Sequence, residues 1–381
     1  MHAPLTAGLL AAFVGFASSF AVVLQGLAAV GASPAQAASG LMALCIAMGL
    51  GGIFLSLRHR MPISVAWSTP GAALLATTGA VEGGFAAATG AFLLTGALLT
   101  MAGLYKPLGR WVQAIPPAIV NAMLAGILLA LCLAPARAVA EAPLAGLAIV
   151  LTWAVIARFS RLLAVPAAVL VMVGLIATTT TLPDGWAATA WPAPVWTTPT
   201  LTVPAIIGIA LPLFIVTMAS QNIPGMAVLN ANGYRPAAGP LFTGTGILSL
   251  LGAPFGAHAV NLAAITAALC AGPDAHPDPA RRWIAAVVTG ACYVVLGLFA
   301  GLAAAFVSTA PPVLIQAVAG LALLGSFAAA LLAALSDSQD REAAIVTFLV
   351  AGSGLAFLGV GAAFWGLLAG LALRAVQLRR A

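Results

Sequence analysis

Two apolar segments of this chain are interrupted in the same way, one in each half of the sequence. They are PISVAWSTPGAALLATTG (62–79) and PFGAHAVNLAAITAALCAG (254–272), and their first prolines lie 192 positions apart. Each begins with residues that favour extended backbone and continues as a short Ala/Leu-rich helix. A helix needs roughly 20 apolar residues to cross a bilayer, so neither helical part spans one alone. Matched interrupted segments in two halves are the best sequence indicator of a transporter's binding site.

The composition places the chain in a membrane. It is 63% hydrophobic and 6% charged, whereas a soluble domain carries about 25% charged residues. Apolar stretches recur along the whole chain, so we expect one integral membrane domain, residues 1–381. The net charge of +6 comes from basic residues scattered between these stretches. That pattern is typical of membrane topology and argues against nucleic-acid binding.

Breaks in the apolar pattern predict an all-α protein with fourteen membrane spans. The first seven are 5–30, 35–57, 62–80, 84–105, 112–133, 143–157 and 162–181. The second seven are 203–221, 236–252, 254–271, 283–307, 311–334, 342–359 and 361–378.

The basic residues support this count. With both termini in the cytoplasm, thirteen of the fourteen basic residues fall inside and only Arg137 falls outside, as the positive-inside rule requires. The inside residues are Arg58, Arg60, Lys106, Arg110, Arg158, Arg161, Arg235, Arg281, Arg282, Arg341, Arg374, Arg379 and Arg380.

Seven spans per half predict an inverted repeat of residues 1–181 and 203–381, because an odd number reverses the second half. The broken segments are then spans 3 and 10. A second match supports the repeat: PPAIVNAMLAG (116–126) and PPVLIQAVAG (311–320) each open the fifth span of their half. In both, an amide follows the prolines, Asn121 or Gln316.

The polar residues inside the predicted spans are neutral. All eight acidic residues fall in loops or at span ends, and charge at the bilayer centre is costly and normally retained for function. The sequence therefore offers no buried acid for a proton relay or a metal site, and we expect no cofactor, no metal and no enzyme activity. The eighth span ends in SQNIPG (220–225), which we interpret as a lined cavity. A helix end capped by amides is the alternative.

We expect the substrate-binding residues to come from spans 1, 3, 8 and 10. His258 is the one histidine inside a predicted span, and a structural role is the alternative for it. For the small polar residues of span 1 the alternative is helix packing. The candidates are Ser19, Gln25, Trp67, Ser68, Thr69, Gly71, Ser220, Gln221, Asn222, Phe255, Gly256, His258 and Asn261.

The broken segments indicate the chemistry of the substrate. The N-terminus of a half-helix presents unpaired N–H groups and partial positive charge, which attract an anion. Trp67 and Phe255 would add an apolar or stacking surface beside it. These residues suit a small anion with an apolar body, such as an aromatic carboxylate. They suit a planar neutral ring such as a nucleobase equally well.

Four strings resemble the BenE family of benzoate:proton symporters: AWSTPGAALL (66–75), TMASQNIPGMAVL (217–229), PFGAHAVNLAAITAALCAGPDAHPD (254–278) and FWGLLAG (364–370). The resemblance implies uptake of benzoate with protons across the bacterial inner membrane. It also implies the fold of uracil and sulfate transporters, with spans 1–4 and 8–11 as a core and spans 5–7 and 12–14 as a gate. The substrate then lies between spans 3 and 10, beside spans 1 and 8.

The chain departs from relatives of this fold at the acids that these often carry in spans 8 and 10. Ser220, Gln221, Asn222 and Asn261 occupy that region instead. Two proton carriers stay open: the substrate enters protonated, or His258 titrates. The alternatives in function are a nucleobase or inorganic-anion transporter of the same fold, and an anion channel, although the continuous polar ring typical of channels is not visible.

Two pairs of glycines have GxxxG spacing. They are Gly297 with Gly301, and Gly366 with Gly370. This spacing predicts close helix packing, with a homodimer as one possible use.

Overall fold

In the computed structural model the chain is almost entirely helical. The structure describes residues 2–105, 107–108, 111, 114–179 and 191–378. The predicted span boundaries at 112 and 181 lie outside this part, as do four of the basic residues expected on the cytoplasmic side: Lys106, Arg110, Arg379 and Arg380.

The first half contains nine described helices and one short strand. The strand, β1, is Val65–Trp67. The helices are α1, His2–Ala17; α2, Phe20–Ala29; α3, Pro34–His59; α4, Thr69–Thr78; α5, Gly84–Leu104; α6, Pro117–Cys132; α7, Ala134–Glu141; α8, Pro143–Phe159; and α9, Arg161–Thr179.

The second half contains eight further described helices and a second strand. The strand, β2, is Val260–Leu262. The helices are α10, Val203–Ala231; α11, Ala238–Gly252; α12, Ile265–Ala271; α13, Trp283–Leu298; α14, Ala300–Thr309; α15, Pro312–Leu335; α16, Arg341–Gly352; and α17, Ala362–Leu378.

Nine helical stretches of the described residues are long and apolar enough to cross a membrane. Shorter apolar helices, among them α8 and α14, accompany them. The chain is therefore a multi-pass membrane protein, as its composition predicts, whereas the count of fourteen spans stays a prediction. The nine stretches are Ala3–Ala29, Pro34–His59, Gly84–Leu104, Pro117–Glu141, Arg161–Thr178, Val203–Ala231, Ala238–Phe255, Pro279–Leu298 and Pro312–Leu335.

Several helix starts follow directly from the local sequence. At α3, Ser33 and Gln36 form a capping box, in which each side chain accepts a hydrogen bond from the other's backbone N–H. Both Pro-Pro pairs open a helix, α6 at Pro117 and α15 at Pro312. Proline is favoured in the first turn because the N–H that it lacks has no partner within the helix there.

The first predicted span, 5–30, is two helices and not one. The break falls at Ser18 and Ser19, between α1 and α2. Both hydroxyls donate to the carbonyl of Gly15, over 3.3 and 3.1 Å. Such local bonds compete with regular helical structure, so the pair of serines ends α1 within the span.

The longest unbroken helix, α10, does not end where the sequence predicts. The SQNIPG string predicts an end near residue 221, but the helix continues to Ala231. Two π-helical turns, Ile206–Ala210 and Met218–Asn222, end two residues before Pro212 and Pro224. Proline has no N–H, and its ring clashes with the carbonyl four residues earlier. A wider π turn at that carbonyl accommodates the ring and lets the helix continue.

Helix contacts divide the described elements into two groups. The strand-containing group comprises α1–α5, α10–α14 and both strands; in it, α3 packs against α13 and α5 against α11. The flanking group comprises α6–α9 and α15–α17; in it, α6 packs against α15 and α16. The largest fully buried side chains lie mostly in the strand-containing group, among them Leu41, Leu74 and Phe92.

The glycines with GxxxG spacing pack within the chain. A Cβ at Gly297 would lie 2.8 Å from the Cβ of Cys45 on α3. A Cβ at Gly366 would lie 2.8 Å from the carbonyl oxygen of Thr347 on α16. These glycines therefore permit close contact between helices of one chain, which accounts for the spacing. A homodimer stays a prediction.

Candidate functional site

The two broken segments meet as a pair of short antiparallel strands. β1 and β2 pair in the register Val65 with Leu262, Ala66 with Asn261 and Trp67 with Val260. Backbone polar groups inside a membrane must find partners within the protein, and this pairing supplies them. Each segment contains extended backbone followed by a short helix, as predicted, since β1 leads into α4 and β2 into α12. The start of the second segment differs from the prediction, because Ala253–Phe255 form a turn of 3-10 helix ahead of its extended part.

Ser68 joins the two segments at the start of α4. Its Oγ accepts hydrogen bonds from the backbone N–H of Gly71 (3.1 Å) and from the Thr217 hydroxyl (2.9 Å). Its backbone N–H donates to the carbonyl of Ala259 over 3.1 Å. Ser68 is therefore the N-cap of α4 and also ties that helix to α10 and to the second broken segment.

His258 adds a further bond to this junction. Its Nε2 lies 2.9 Å from the carbonyl oxygen of Ser68. A carbonyl only accepts, so Nε2 carries the hydrogen and donates. The Nδ1 atom is buried and has no partner among the described atoms. His258 is fully buried, with the ring of Phe92 edge-on to it at 6.3 Å.

Buried amides and a hydroxyl hold β2 from its other sides. Asn222 accepts from the N–H of Leu262 over 2.9 Å, and Ser249 accepts from the N–H of Val260 over 2.8 Å. In the amide orientation that satisfies both of its ends, Asn261 donates to the carbonyl of Leu262 and accepts from the N–H of Ser68. The crossing of the two broken segments, where β1 pairs with β2, is thus fixed by side chains from α10 and α11 as well as by strand pairing.

Trp67 connects β1 to the break between α1 and α2. Its indole Nε1 donates to the Ser19 hydroxyl over 2.9 Å, and Ser19 in turn donates to the carbonyl of Gly15. The ring of Phe16 lies 5.8 Å from the Trp67 ring. The indole is therefore held at both its polar edge and its face.

A cavity of about 200 Å³ lies beside Trp67, between the strand-containing and the flanking groups. More of its wall is apolar than polar. The strand-containing group contributes Val14, Gly15, Ser18, Ser19, Met48, Ala66, Trp67, Thr69, Pro70, Gln221, Ala263, Ala264, Ile265, Thr266 and Tyr293. The flanking group contributes Arg161, Leu162, Val165, Ala322, Leu323 and Ser326.

Four of the predicted site residues line this cavity. Ser19 comes from span 1, Trp67 and Thr69 from span 3, and Gln221 from span 8. The residues that begin the second half-helix, Ala264 to Thr266, line it too. Both broken segments therefore reach one cavity, and they do so at the starts of α4 and α12.

Other predicted residues are buried next to the cavity wall and do not line the cavity itself. Ser68, Asn222, His258 and Asn261 are all fully buried and form the hydrogen bonds of the crossing. Gly71 lies beneath the cap, where a Cβ would come within 2.7 Å of the Ser68 Oγ.

The remaining candidates lie away from the cavity wall. The Ser220 hydroxyl donates to the carbonyl of Val216 within α10. Phe255 contacts the ring of Trp196 at 5.4 Å, on another face, so it forms no stacking surface with Trp67. Gly256 has a φ of +93° and closes a turn against α3.

Gln25 lines a second cavity of about 290 Å³, between α2, α14 and the start of α15. Gln316 lines it as well, and the Gln25 Oε1 is buried without a partner among the described atoms. Span 1 therefore divides its predicted residues between two cavities, with Ser19 at the main one and Gln25 at the second.

Five polar side chains of the main cavity were absent from the sequence-based candidates. They are Ser18 between α1 and α2, Arg161 on α9, Thr266 on α12, Tyr293 on α13 and Ser326 on α15. The position of Arg161 could have suggested a role, because only Ser160 separates α8 from α9. With no longer loop there, the arginine stays next to the ends of both helices. Tyr293 is one of three tyrosines, and its position gives no comparable signal.

Sequence comparison relates the chain to known membrane proteins. The family model of the benzoate membrane transport protein, BenE, matches residues 1–376. The inner membrane protein YdcO of Escherichia coli K12 is 41% identical over 367 residues, 96% of this chain and 93% of that protein. The benzoate membrane transport protein of Acinetobacter baylyi is 32% identical over 372 residues, 96% of this chain and 92% of that protein.

Solved structures share the fold at low sequence identity. The transmembrane domain of the cyanobacterial bicarbonate transporter BicA has a TM-score of 0.61 at 15% identity, covering 97% of each chain. SLC26A9 has a TM-score of 0.64 at 16% identity, covering 99% of this chain and 65% of that one. The matched family and these neighbours are membrane transporters and not enzymes, as we predict for this chain.

Proposed function

The chain belongs to the BenE family of benzoate membrane transport proteins, and on this premise we propose that it is a secondary transporter of benzoate or a similar aromatic carboxylate. It carries this substrate with protons into the cell across the inner membrane, with both termini in the cytoplasm. The observation that supports the proposal most directly is the cavity beside Trp67, where both broken segments meet.

The size and lining of this cavity suit a small aromatic acid. Its volume of about 200 Å³ is below the roughly 300–1,000 Å³ typical of pockets for drug-sized ligands. Trp67 and the aliphatic side chains of Val165 and Leu323 offer an apolar wall for a ring. Hydroxyls of Ser19 and Thr69 and the amide of Gln221 offer polar contacts at its edge.

The architecture that we propose has fourteen spans in two inverted repeats, with half-helices in spans 3 and 10. The antiparallel pairing of β1 with β2 supports this arrangement, because an inverted repeat brings its two equivalent segments together head to tail. The strand-containing and flanking groups correspond to the core and the gate of that fold.

Transport follows from movement of one group against the other. The cavity takes part of its wall from each group, so a relative displacement opens it to one side of the membrane and closes it to the other. Rocking or gating of one unit against another around a fixed site is the usual form of alternating access.

The co-transported proton has two candidate carriers, the substrate and His258. The side chains that line the cavity favour the substrate as the carrier. The described residues that line it include no carboxylate and no imidazole. His258 is buried behind Ser68 and donates to its carbonyl, so its titration requires a proton path to the unpartnered Nδ1. We therefore propose that the carboxylate binds in its ionised form and takes up the proton before it is carried across, with His258 as the alternative carrier.

Uptake by the full-length protein in proteoliposomes tests this function. Labelled benzoate should accumulate when an inward proton gradient is imposed, and unlabelled substituted benzoates should compete. Because a carboxylate carried with one proton is neutral, a membrane voltage imposed without a pH gradient should drive little accumulation.

Other outcomes point to the other functions. Competition by excess uracil, without competition by substituted benzoates, would assign the protein to nucleobases. Competition by bicarbonate or sulfate alone would assign it to inorganic anions. Flux that never accumulates substrate under any gradient would indicate a channel.

A further inference from the structure

The main cavity has one charged side chain among the lining residues that the structure describes. It is Arg161, the first residue of α9, in the flanking group. The N–H of Ser160 donates to the carbonyl of Ile156 over 2.7 Å and ends α8, and α9 begins at the next residue. A link of one residue fixes the backbone of Arg161 beside the cavity.

The charge of Arg161 is uncompensated within the described part of the chain. The two ion pairs found there are Arg281 with Asp278 and Arg374 with Asp340. Arg161 belongs to neither, and its side chain is exposed. Because none of the described lining residues is acidic, this guanidinium is available to an anion from outside the protein.

Several other donors at the cavity already have partners. At the start of α4 the N–H of Gly71 is bonded to the Ser68 Oγ, and Pro70 has no N–H. The indole N–H of Trp67 is bonded to Ser19. The start of α12 has no side-chain cap, so its backbone N–H groups remain, but they carry only a partial positive charge. Arg161 is therefore the one fully charged donor among the described lining residues.

We propose that Arg161 recognises the carboxylate of the substrate while the aromatic ring lies against the apolar wall that includes Trp67. The planar guanidinium presents paired N–H donors that match the two oxygens of a carboxylate. Arg161 is thus a specificity-determining residue that distinguishes a carboxylate from a neutral ring. This inference rests on the proposed function for the class of substrate.

The test compares Arg161→Gln and Arg161→Lys with Arg158→Gln. Arg158 lies on the last turn of α8, is exposed and is absent from the cavity lining, so it controls for loss of one positive charge nearby. Each variant is purified at full length, checked for an unchanged thermal unfolding midpoint, and assayed for benzoate uptake and for binding of benzoate and benzamide.

We expect Arg161→Gln to raise the KM and the Kd for benzoate by about 10- to 100-fold, the effect of losing one charge-assisted bonded pair. Binding of the neutral benzamide should change little, so selectivity for the carboxylate collapses. Arg161→Lys should recover part of the affinity, and Arg158→Gln should match the wild type. Added salt should weaken benzoate binding to the wild type more than to Arg161→Gln.

Two failures are distinguishable. If the wild type binds benzoate and Arg161→Gln keeps its affinity and its selectivity over benzamide, the role of Arg161 is wrong and the proposed function stands. If the wild type binds neither benzoate nor substituted benzoates, the proposed function is wrong, and the carboxylate role of Arg161 is overturned with it.

Discussion

The two broken segments have the same outline but are held in different ways. In the first, the N-terminus of α4 is capped by Ser68, and the helix of ten residues ends at Thr78, with Gly79 as its C-cap. In the second, α12 has seven residues and no side-chain cap at its start. Its far end is held instead, by the buried side chain of Arg282. The half-helix of the first segment is thus anchored at the cavity and that of the second away from it.

Arg282 binds three backbone carbonyls at the end of the second segment. Its Nη1 donates to Ala271, the last residue of α12, over 2.8 Å. Its Nε donates to His276 over 2.7 Å, and its Nη2 to Pro277 over 3.4 Å. A cation at a helix C-terminus also interacts favourably with the helix dipole. The difference teaches that a short half-helix in a membrane can be stabilised from either end.

Loss of the Arg282 side chain should lower the stability of the protein more than any other change in this comparison. Arg282→Met keeps the apolar stem but leaves three carbonyls without their donor, and we expect a destabilisation of about 3 kcal/mol. Thermal unfolding of the purified protein measures it. The neighbouring, exposed Arg281 is the control, because Arg281→Met removes only a surface ion pair worth about 0–1 kcal/mol. Equal effects of the two changes would contradict the anchoring role of Arg282.

A methyl group at Gly256 should cost less, but still more than one at Gly233. Both glycines have positive φ, +93° and +86°, where a side chain adds strain of roughly 1–2 kcal/mol. A Cβ at Gly256 would also lie 3.1 Å from the Cα of Gly40, whereas a Cβ at Gly233 meets nothing within 4 Å. Unfolding midpoints of Gly256→Ala and Gly233→Ala should differ in that order, and the reverse order would refute the contact.

Removal of the Ser68 cap should have a smaller effect on stability. Ser68→Ala leaves the N–H of Gly71 and the hydroxyl of Thr217 without their acceptor, and loss of an N-cap costs about 1 kcal/mol. Thr217→Val isolates one of the two bonds and should cost less. Because α4 begins at the cavity, Ser68→Ala should also raise the KM for benzoate. An unchanged KM would show that the cap does not position the cavity wall.

Replacement of His258 should have the smallest effect of these changes, and the pH dependence of uptake measures it. In His258→Gln the side-chain amide can still donate to the Ser68 carbonyl. If the substrate carries the proton, the pH dependence of uptake in this variant should overlay that of the wild type. A displaced profile would instead assign the proton to His258 and remove it from the substrate.

The outline of the fold could be predicted from the sequence because proline, glycine and apolar length act locally. Pro-Pro pairs mark the starts of α6 and α15, and the residues ahead of the two short helices predict extended backbone, which the structure forms as β1 and β2. The continuation of α10 through Pro224 could not be predicted, since it depends on a π turn that the pattern of apolar residues does not reveal.

The candidate site was predicted only in part, for a related reason. Residue type identifies Trp67 and Gln221 as members of the cavity, but it does not separate a side chain that faces the cavity from one that holds the wall. Asn222 is next to Gln221 and bonds β2 instead. That distinction depends on the direction each side chain takes from α10, which only packing determines.

The π turns of α10 give this helix an angular offset. A π turn accommodates one extra residue, and each residue of an α-helix advances by roughly 100° about the axis. Every residue after Ile206–Ala210 is therefore rotated by about that angle relative to an uninterrupted α-helix. With this rotation Thr217 faces Ser68 and bonds to it. Deletion of a single residue from that turn would restore regular α-helical hydrogen bonds. It would also turn the polar side chains of α10 away from the crossing.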